Sequence, residues 1–292
     1  MVNYKAELVL QMDSILGEGP VWHPIHQKLY WVDIEKKELH TLEPDTRQHT
    51  IWPAPKRVSA VVPAKNGNLI LALQGEIVEM DLASGAFKTL VELESYLPDN
   101  RCNDGKCDAA GRFWVGTMNV DCNLHEGSLY CIDQTYHITK VLENLTIANG
   151  MGWSPDGDKM YFIDSHDHNV KSFQFKKDRC ALVDGQIIFG FDNKNELPDG
   201  MCVDAEGMLW IAFWGGSRVG RYDPATGSQL AEILIPATQV TSCCFGGEDL
   251  KTLFITTARQ GLSQAEIDQY PLSGSLFASR VQVRGSQTNF FR

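Results

Sequence analysis

Six residues raise the chemical question in this sequence: Glu18, Ser59, Asn103, Asn149, Asp199 and Thr241. Each carries a side-chain oxygen, the residues after it are mostly apolar, and successive members lie 41 to 50 residues apart. If the chain repeats itself around an axis, these positions face one another, and two carboxylates and two carboxamides converge. Hard oxygen donors of that kind suit Ca²⁺ first, with Mg²⁺, Mn²⁺, Fe²⁺ or Zn²⁺ as alternatives. Asp-Gly and Asn-Gly pairs also make turns. Here the evident turns, Asp156-Gly157, Asn66-Gly67 and Glu206-Gly207, fall elsewhere in the repeat. Two buried carboxylates near one axis are costly without a cation, which favours a metal site.

Other chemistry-bearing residues flank this set. Arg101 lies two residues before Asn103, where its planar donor fork could reach over the mouth of the axis or simply sit as a surface charge. Asp121, in Thr117–Asn123, a stretch expected to be loop after the Trp114 strand, could accept from a hydroxylated ligand or be solvated. His166-Asp167-His168 reads as an exposed polar turn, and Cys243-Cys244 as core. There is no nucleotide-binding glycine loop, H-E-x-x-H or G-x-S-x-G.

The elements that must position these residues follow from a repeat. Glu18 to Pro24 passes a turn into Leu29–Asp33, Asn103 to Asp108 into Phe113–Gly116, and Asn149 to Ser154 into Met160–Asp164. Asp199 to Asp204 leads likewise into Leu209–Ala212, and weaker copies start at Ser59 and Thr241. A third strand-like stretch follows each copy, such as Glu76–Met80 or Arg218–Tyr222. A period of this size suits a four-stranded propeller blade. The expectation is an all-β chain, a single six-bladed β-propeller domain over residues 1–292 with a central metal-binding channel. Ala6–Leu10 is expected to close the ring beside Gly274–Ala278, and Trp22, Trp31, Trp114, Trp153 and Trp210 to pack between blades.

Composition narrows the partners. With 26 basic against 37 acidic side chains the formal charge is −11, which disfavours nucleic acid. No run approaches the roughly 20 apolar residues of a membrane span. Met1–Gln11 lacks the pattern of a secretory signal, so Asn144-Leu145-Thr146 is not expected to carry a glycan. The eight cysteines contain no C-x-x-C pair, and the expectation is buried free thiols in a cytoplasmic protein.

An ordered set of motifs resembles one family. Gly17-Glu18-Gly19-Pro20-Val21-Trp22, Arg101-Cys102-Asn103-Asp104-Gly105-Lys106, Gly116-Thr117-Met118 and Gly127-Ser128-Leu129-Tyr130 appear in turn. Ala148-Asn149-Gly150-Met151, Leu197-Pro198-Asp199-Gly200 and Thr256-Thr257-Ala258-Arg259 complete the series. The set resembles the gluconolactonase, regucalcin (senescence marker protein) and luciferin-regenerating enzyme family. That resemblance implies a six-bladed propeller with one divalent cation on Glu18, Asn149 and Asp199. It implies substrate binding by Arg101 and Asn103, and Asp199 as general base. Asp121 falls where regucalcin has a glutamate, a shorter carboxylate at that place. The implied reaction is opening of a small sugar lactone, an aldonolactone, to its aldonic acid. Two rivals share the scaffold: a phosphotriesterase-like hydrolase of the diisopropyl-fluorophosphatase type, and a calcium-binding propeller without activity.

Overall fold

The computed structural model describes residues 1–292, and the chain is all-β apart from one 3-10 turn, Ser165–Asp167, and one short α-helix, Gln264–Gln269. The chain runs as consecutive antiparallel meanders. Gly17–His23, Lys28–Asp33, Glu38–Glu43 and Gln48–Pro53 form one four-stranded sheet. Three more four-stranded sheets follow, opening at Val58–Pro63, Asn100–Cys107 and Ala148–Trp153. The remaining strands form a nine-stranded sheet in which two meanders, opening at Leu197–Val203 and Gln239–Gly246, are joined by the Trp214–Gln239 pairing. The expected third strands occur as Glu76–Met80 and Arg218–Tyr222.

The six opening strands, called leading strands below, pack side by side in chain order, and the sixth packs against the first. Chain ends reinforce this closure. Glu7–Leu10 pairs antiparallel with Leu276–Arg280, bringing Leu8 opposite Phe277, as anticipated for the terminal stretch. Val2–Lys5 adds a parallel strand to Gln229–Leu234 of the preceding meander. Edge groups that would otherwise stand open are thereby paired.

Side-chain packing between sheets does much of the rest. Trp31, Trp114 and Trp210 are fully buried, each such burial contributing a few kcal/mol, about 25 cal/mol per Å² of apolar surface. Trp22 stacks on Phe254 across the ring closure at 5.9 Å, and Trp114 meets Trp153 edge-on at 6.3 Å between neighbouring sheets. Trp31 differs: it stacks within its own sheet on His40 and His49. Two hairpins share one polar clamp. The carboxylate of Asp108 accepts from the backbone N–H groups of Ala110 and Arg112, from Arg112 Nε and from the Trp114 indole. Asp204 does the same for Glu206, Met208, Arg221 and Trp210.

Two expectations need correction. Cys131 and Cys180 form a disulfide rather than remaining free thiols; the other six cysteines are free, four of them buried as expected, with Cys202 half-buried and Cys122 exposed. Cys131 lies in the strand Gly127–Ile132 and Cys180 just before the strand Leu182–Gly190 of the next sheet, so tertiary packing, not local spacing, brings them together. Thr117–Asn119 is not loop; it completes the strand Phe113–Asn119, paired to Asn100–Cys102.

Burial also sets a pH response. It drives His40 down to about 3, with neighbouring His49 adding to the effect, and His23 down to about 4, with His26 adding. Exposed histidines titrate near 6.5, so between about pH 6.5 and 4 the unfolded chain binds protons that the folded chain refuses. Stability must therefore fall as pH drops through that window. Urea unfolding midpoints measured from pH 7 to pH 4.5 should decline, and His40→Gln should flatten the slope. An unchanged slope in that variant would contradict the assignment.

Candidate functional site

All six sequence-selected positions sit where the leading strand breaks register with its partner. Pairing is interrupted between Glu18 and Val21, Val58 and Ala60, Cys102 and Gly105, Ala148 and Met151, Pro198 and Met201, and Val240 and Ser242. A bulge takes a residue out of the ladder and re-aims its side chain. Without it, a strand's strict alternation would dictate the direction of each of these side chains.

Two glycines permit the close approach. A Cβ on Gly150 would lie 2.5 Å from the carbonyl oxygen of Asp199, and one on Gly200 would overlap the side chain of Ser242. Any larger residue would force neighbouring leading strands apart.

The resulting cluster is buried and polar. Glu18, Asn103, Asn149, Asp199, Arg101 and Asp104 each expose 7% or less of their surface. Asn149 donates from Nδ2 to Asp199 Oδ1 and to Ser165 Oγ (3.1 Å). Its carbonyl oxygen, Oδ1, is buried with no partner. Asn103 donates to the carbonyl of Ala148 at 2.9 Å and accepts from Arg101 Nη1 at 2.7 Å. Glu18 accepts only the N–H of Gly19, at 2.9 Å. Thr241 instead serves the scaffold, donating to the carbonyl of Gly17 at 2.6 Å, and Ser59 is fully buried.

Asp104 joins this cluster, and sequence reasoning passed over it. The register break that frees Asn103 frees Asp104 too, and Asp104 Oδ2 is buried without a partner. Burial pushes all three carboxyls up. Glu18 rises to about 8 through desolvation and then the charge of Asp104. Asp199 rises well above the usual range through desolvation and then the charge of Glu18, and Asp104 rises through desolvation, offset by Lys106. Crowded acids of this kind resist ionisation until positive charge is supplied. No three His, Cys, Asp or Glu side chains group as a metal cluster on their own. What converges is carboxylate with carboxamide oxygen, a donor set that fits a hard divalent cation.

Arg101 is buried, so its reading as a surface charge is excluded. A brace missed in the sequence stands beside it: Arg57 Nε lies 3.0 Å from both oxygens of Glu35, and Gln74 links Arg57 to the carbonyl of Asn100. Chain order carries no signal for this brace, because its members come from different turns. Asp121 is exposed, and its carboxylate is hydrogen-bonded to none of the cluster.

Over residues 16–259 the chain matches the SMP-30/gluconolactonase/LRE-like region. It belongs to that family. A Bacillus subtilis relative provisionally named sugar lactone lactonase YvrE is 32% identical over 283 residues, covering 96% of this chain and 97% of its own. Rabbit (Oryctolagus cuniculus) regucalcin is 34% identical, covering 95% and 94%. Among solved structures, a calcium-binding protein, regucalcin, from Agrobacterium tumefaciens superposes with a TM-score of 0.95 at 28% identity, covering 100% of this chain and 99% of that one. No helix of the chain is long and apolar enough to cross a membrane.

Gly150→Ala should cost about 1–3 kcal/mol through overpacking and should weaken any divalent-cation binding at this candidate site, because the leading strands of Asn149 and Asp199 must separate. Calorimetry and a cation titration check both; an alanine accepted with neither change would contradict the close-approach argument.

Proposed function

We propose that this chain is a six-bladed propeller that hydrolyses a small sugar lactone, with one divalent cation held by Glu18, Asn149 and Asp199. The observation that carries the reading is the unpartnered, buried Asn149 Oδ1 beside carboxylates that burial holds back from ionising. The family's name and the lactonase name of the Bacillus relative supply the reaction class. A bound cation of this type polarises a carbonyl and stabilises the negative charge that develops there during attack by water.

The chain's own residues supply the rest. Arg101, fixed through Asn103, offers donors to ring hydroxyls or to the lactone oxygens. Asn103 holds the strand of Asn149 in place and keeps a lone pair for a substrate hydroxyl. Asp199 takes the proton of the attacking water. As the acyl C–O bond breaks, that proton passes to the departing ring oxygen, giving the hydroxy acid. Asp121, on the exposed turn, completes the sugar contact from outside the cluster. Ca²⁺ is the first choice among cations, with Mg²⁺, Mn²⁺, Fe²⁺ and Zn²⁺ as substitutes.

The test is a metal-free preparation reconstituted with each cation and assayed by pH-stat on glucono-, galactono-, xylono- and arabinono-lactones beside a fluorophosphonate. Lactone opening should vanish with chelator while the fold persists. Fluorophosphonate hydrolysis without lactone opening would favour the phosphotriesterase reading. Cation binding without turnover would leave the calcium-binding role that the Agrobacterium relative's name states.

Two variants sharpen the roles. Asp199→Asn should lower kcat by about 10² or more, within the range for removing a general base, and full turnover with metal bound would remove that role. Asp121→Ala should raise KM with kcat nearly unchanged, as for a contact made equally in ground and transition states; an equal fall in kcat would place it at the reacting atoms.

A further inference from the structure

Further along the same leading strands the protein holds a partly open chamber. It has a volume of about 620 Å³, and its walls include Trp22, Lys106, Trp153, Cys202 and Phe245. Trp22, Lys106, Trp153 and Cys202 lie three or four residues beyond Glu18, Asn103, Asn149 and Asp199, about 10–13 Å along a strand that rises 3.3 Å per residue. None of Glu18, Asn103, Asn149 and Asp199 lines the chamber, although the charge of Lys106 reaches Glu18 and Asp104 of the candidate centre.

The C-terminal segment Ser286–Asn289 supplies one wall. It is tied down across several sheets: Thr288 Oγ donates to the carbonyl of Trp22 at 2.7 Å and Asn289 Nδ2 to that of Cys107 at 3.2 Å. Beyond it, the N–H of Phe291 reaches the carbonyl of Pro63 at 2.8 Å and that of Arg292 the carbonyl of Gly111 at 3.2 Å. The chamber is thus a fixed feature of the fold, of the size that takes a small organic ligand.

Its charged groups are Lys106, Lys177 and Asp156, and the Asp156 carboxylate is held by Ser154 Oγ at 2.5 Å and the N–H of Asp158 at 3.1 Å. Lys177 is spent on Asp158 (2.6 Å) and on the carbonyl of Asp156 (2.7 Å). Lys106 donates to the carbonyls of Met151 (3.2 Å) and Met201 (2.5 Å), which leaves one of its three N–H donors without a protein partner. Burial pushes the Cys107, Cys202 and Cys244 thiols up, so they line the wall as neutral, apolar groups rather than thiolates. A single cation with a spare donor, set among indole, phenyl and thiol surfaces, complements a carboxylate on an apolar body.

We infer that this chamber is a second ligand site, taking a small amphipathic carboxylate, an aryl- or alkyl-alkanoate, whose head bonds Lys106 and whose body lies against Trp22, Trp153 and Phe245. The site needs no divalent cation, so its occupancy is independent of the proposed lactonase reaction.

The probes are 3-phenylpropionate and its neutral counterpart 3-phenylpropanamide, titrated calorimetrically into the chelator-treated full chain with indole fluorescence followed in parallel. The acid should bind at one site per chain, about tenfold or more tighter than the amide, as expected for a charge-assisted bond. Lys106→Met should abolish that preference. Ala110→Trp at the rim, with Lys106 intact, should weaken both probes and covers the case in which Lys106→Met does not fold. Gluconolactone should not compete. Equal affinity for acid and amide, no binding of either below about 10 mM (a Kd that weak is negligible recognition), or displacement by the lactone would each overturn the inference.

Discussion

The arrangement depends on an unbalanced charge at the meeting of the leading strands. Three of the other buried acids are answered by bases in contact: Asp108 by Arg112 at 2.6 Å, Asp204 by Arg221 at 2.8 Å, Glu196 by Arg218 at 2.6 Å; Asp33, Asp164 and Glu94 are answered instead by several N–H or hydroxyl donors each. Glu18, Asp104 and Asp199 have no such partner. Arg101 directs its hydrogen bonds to Asn103 and the carbonyl of Cys102, and Lys106 directs two of its three donors to carbonyls, none to a carboxylate. A fold that answers its other buried acids with bases or with several donors, and leaves these three without either, would be completed by a cation of the proposed kind.

Backbone geometry makes that imbalance inescapable. Each leading strand breaks register at the residue that matters or, for Glu18, directly after it, while the apolar residues that follow still pack between sheets. Gly150 and Gly200 then let adjacent strands approach until Asn149 and Asp199 touch. Stability and chemistry draw on the same contacts. The aromatic packing that fixes one sheet against the next also fixes the distance between donors, so site geometry is a property of the whole ring.

Much of this could be read in the chain beforehand, and the reason is periodicity. A unit repeated six times marks its equivalent positions, and Glu18, Asn103, Asn149 and Asp199 were found by comparing copies, without any local signature of a metal site. What periodicity does not mark was missed. Asp104 was hidden behind Asn103 because a regular strand would turn the two to opposite faces, and only the bulge frees both. The Glu35–Arg57–Gln74 brace and the Cys131–Cys180 bond join residues from different turns or sheets, where spacing along the chain carries no information. Arg101 could have been a surface charge until its burial was seen, and exposed Asp121 still draws its role from resemblance alone.

The most direct test is to locate a cation. Crystals grown with Mn²⁺ should show one strong anomalous peak per chain, in contact with the carboxylates of Glu18 and Asp199 and with Asn149 Oδ1. A chain saturated with Mn²⁺ whose only peaks lie at surface acids, with these three side chains empty between them, would contradict the account at its root.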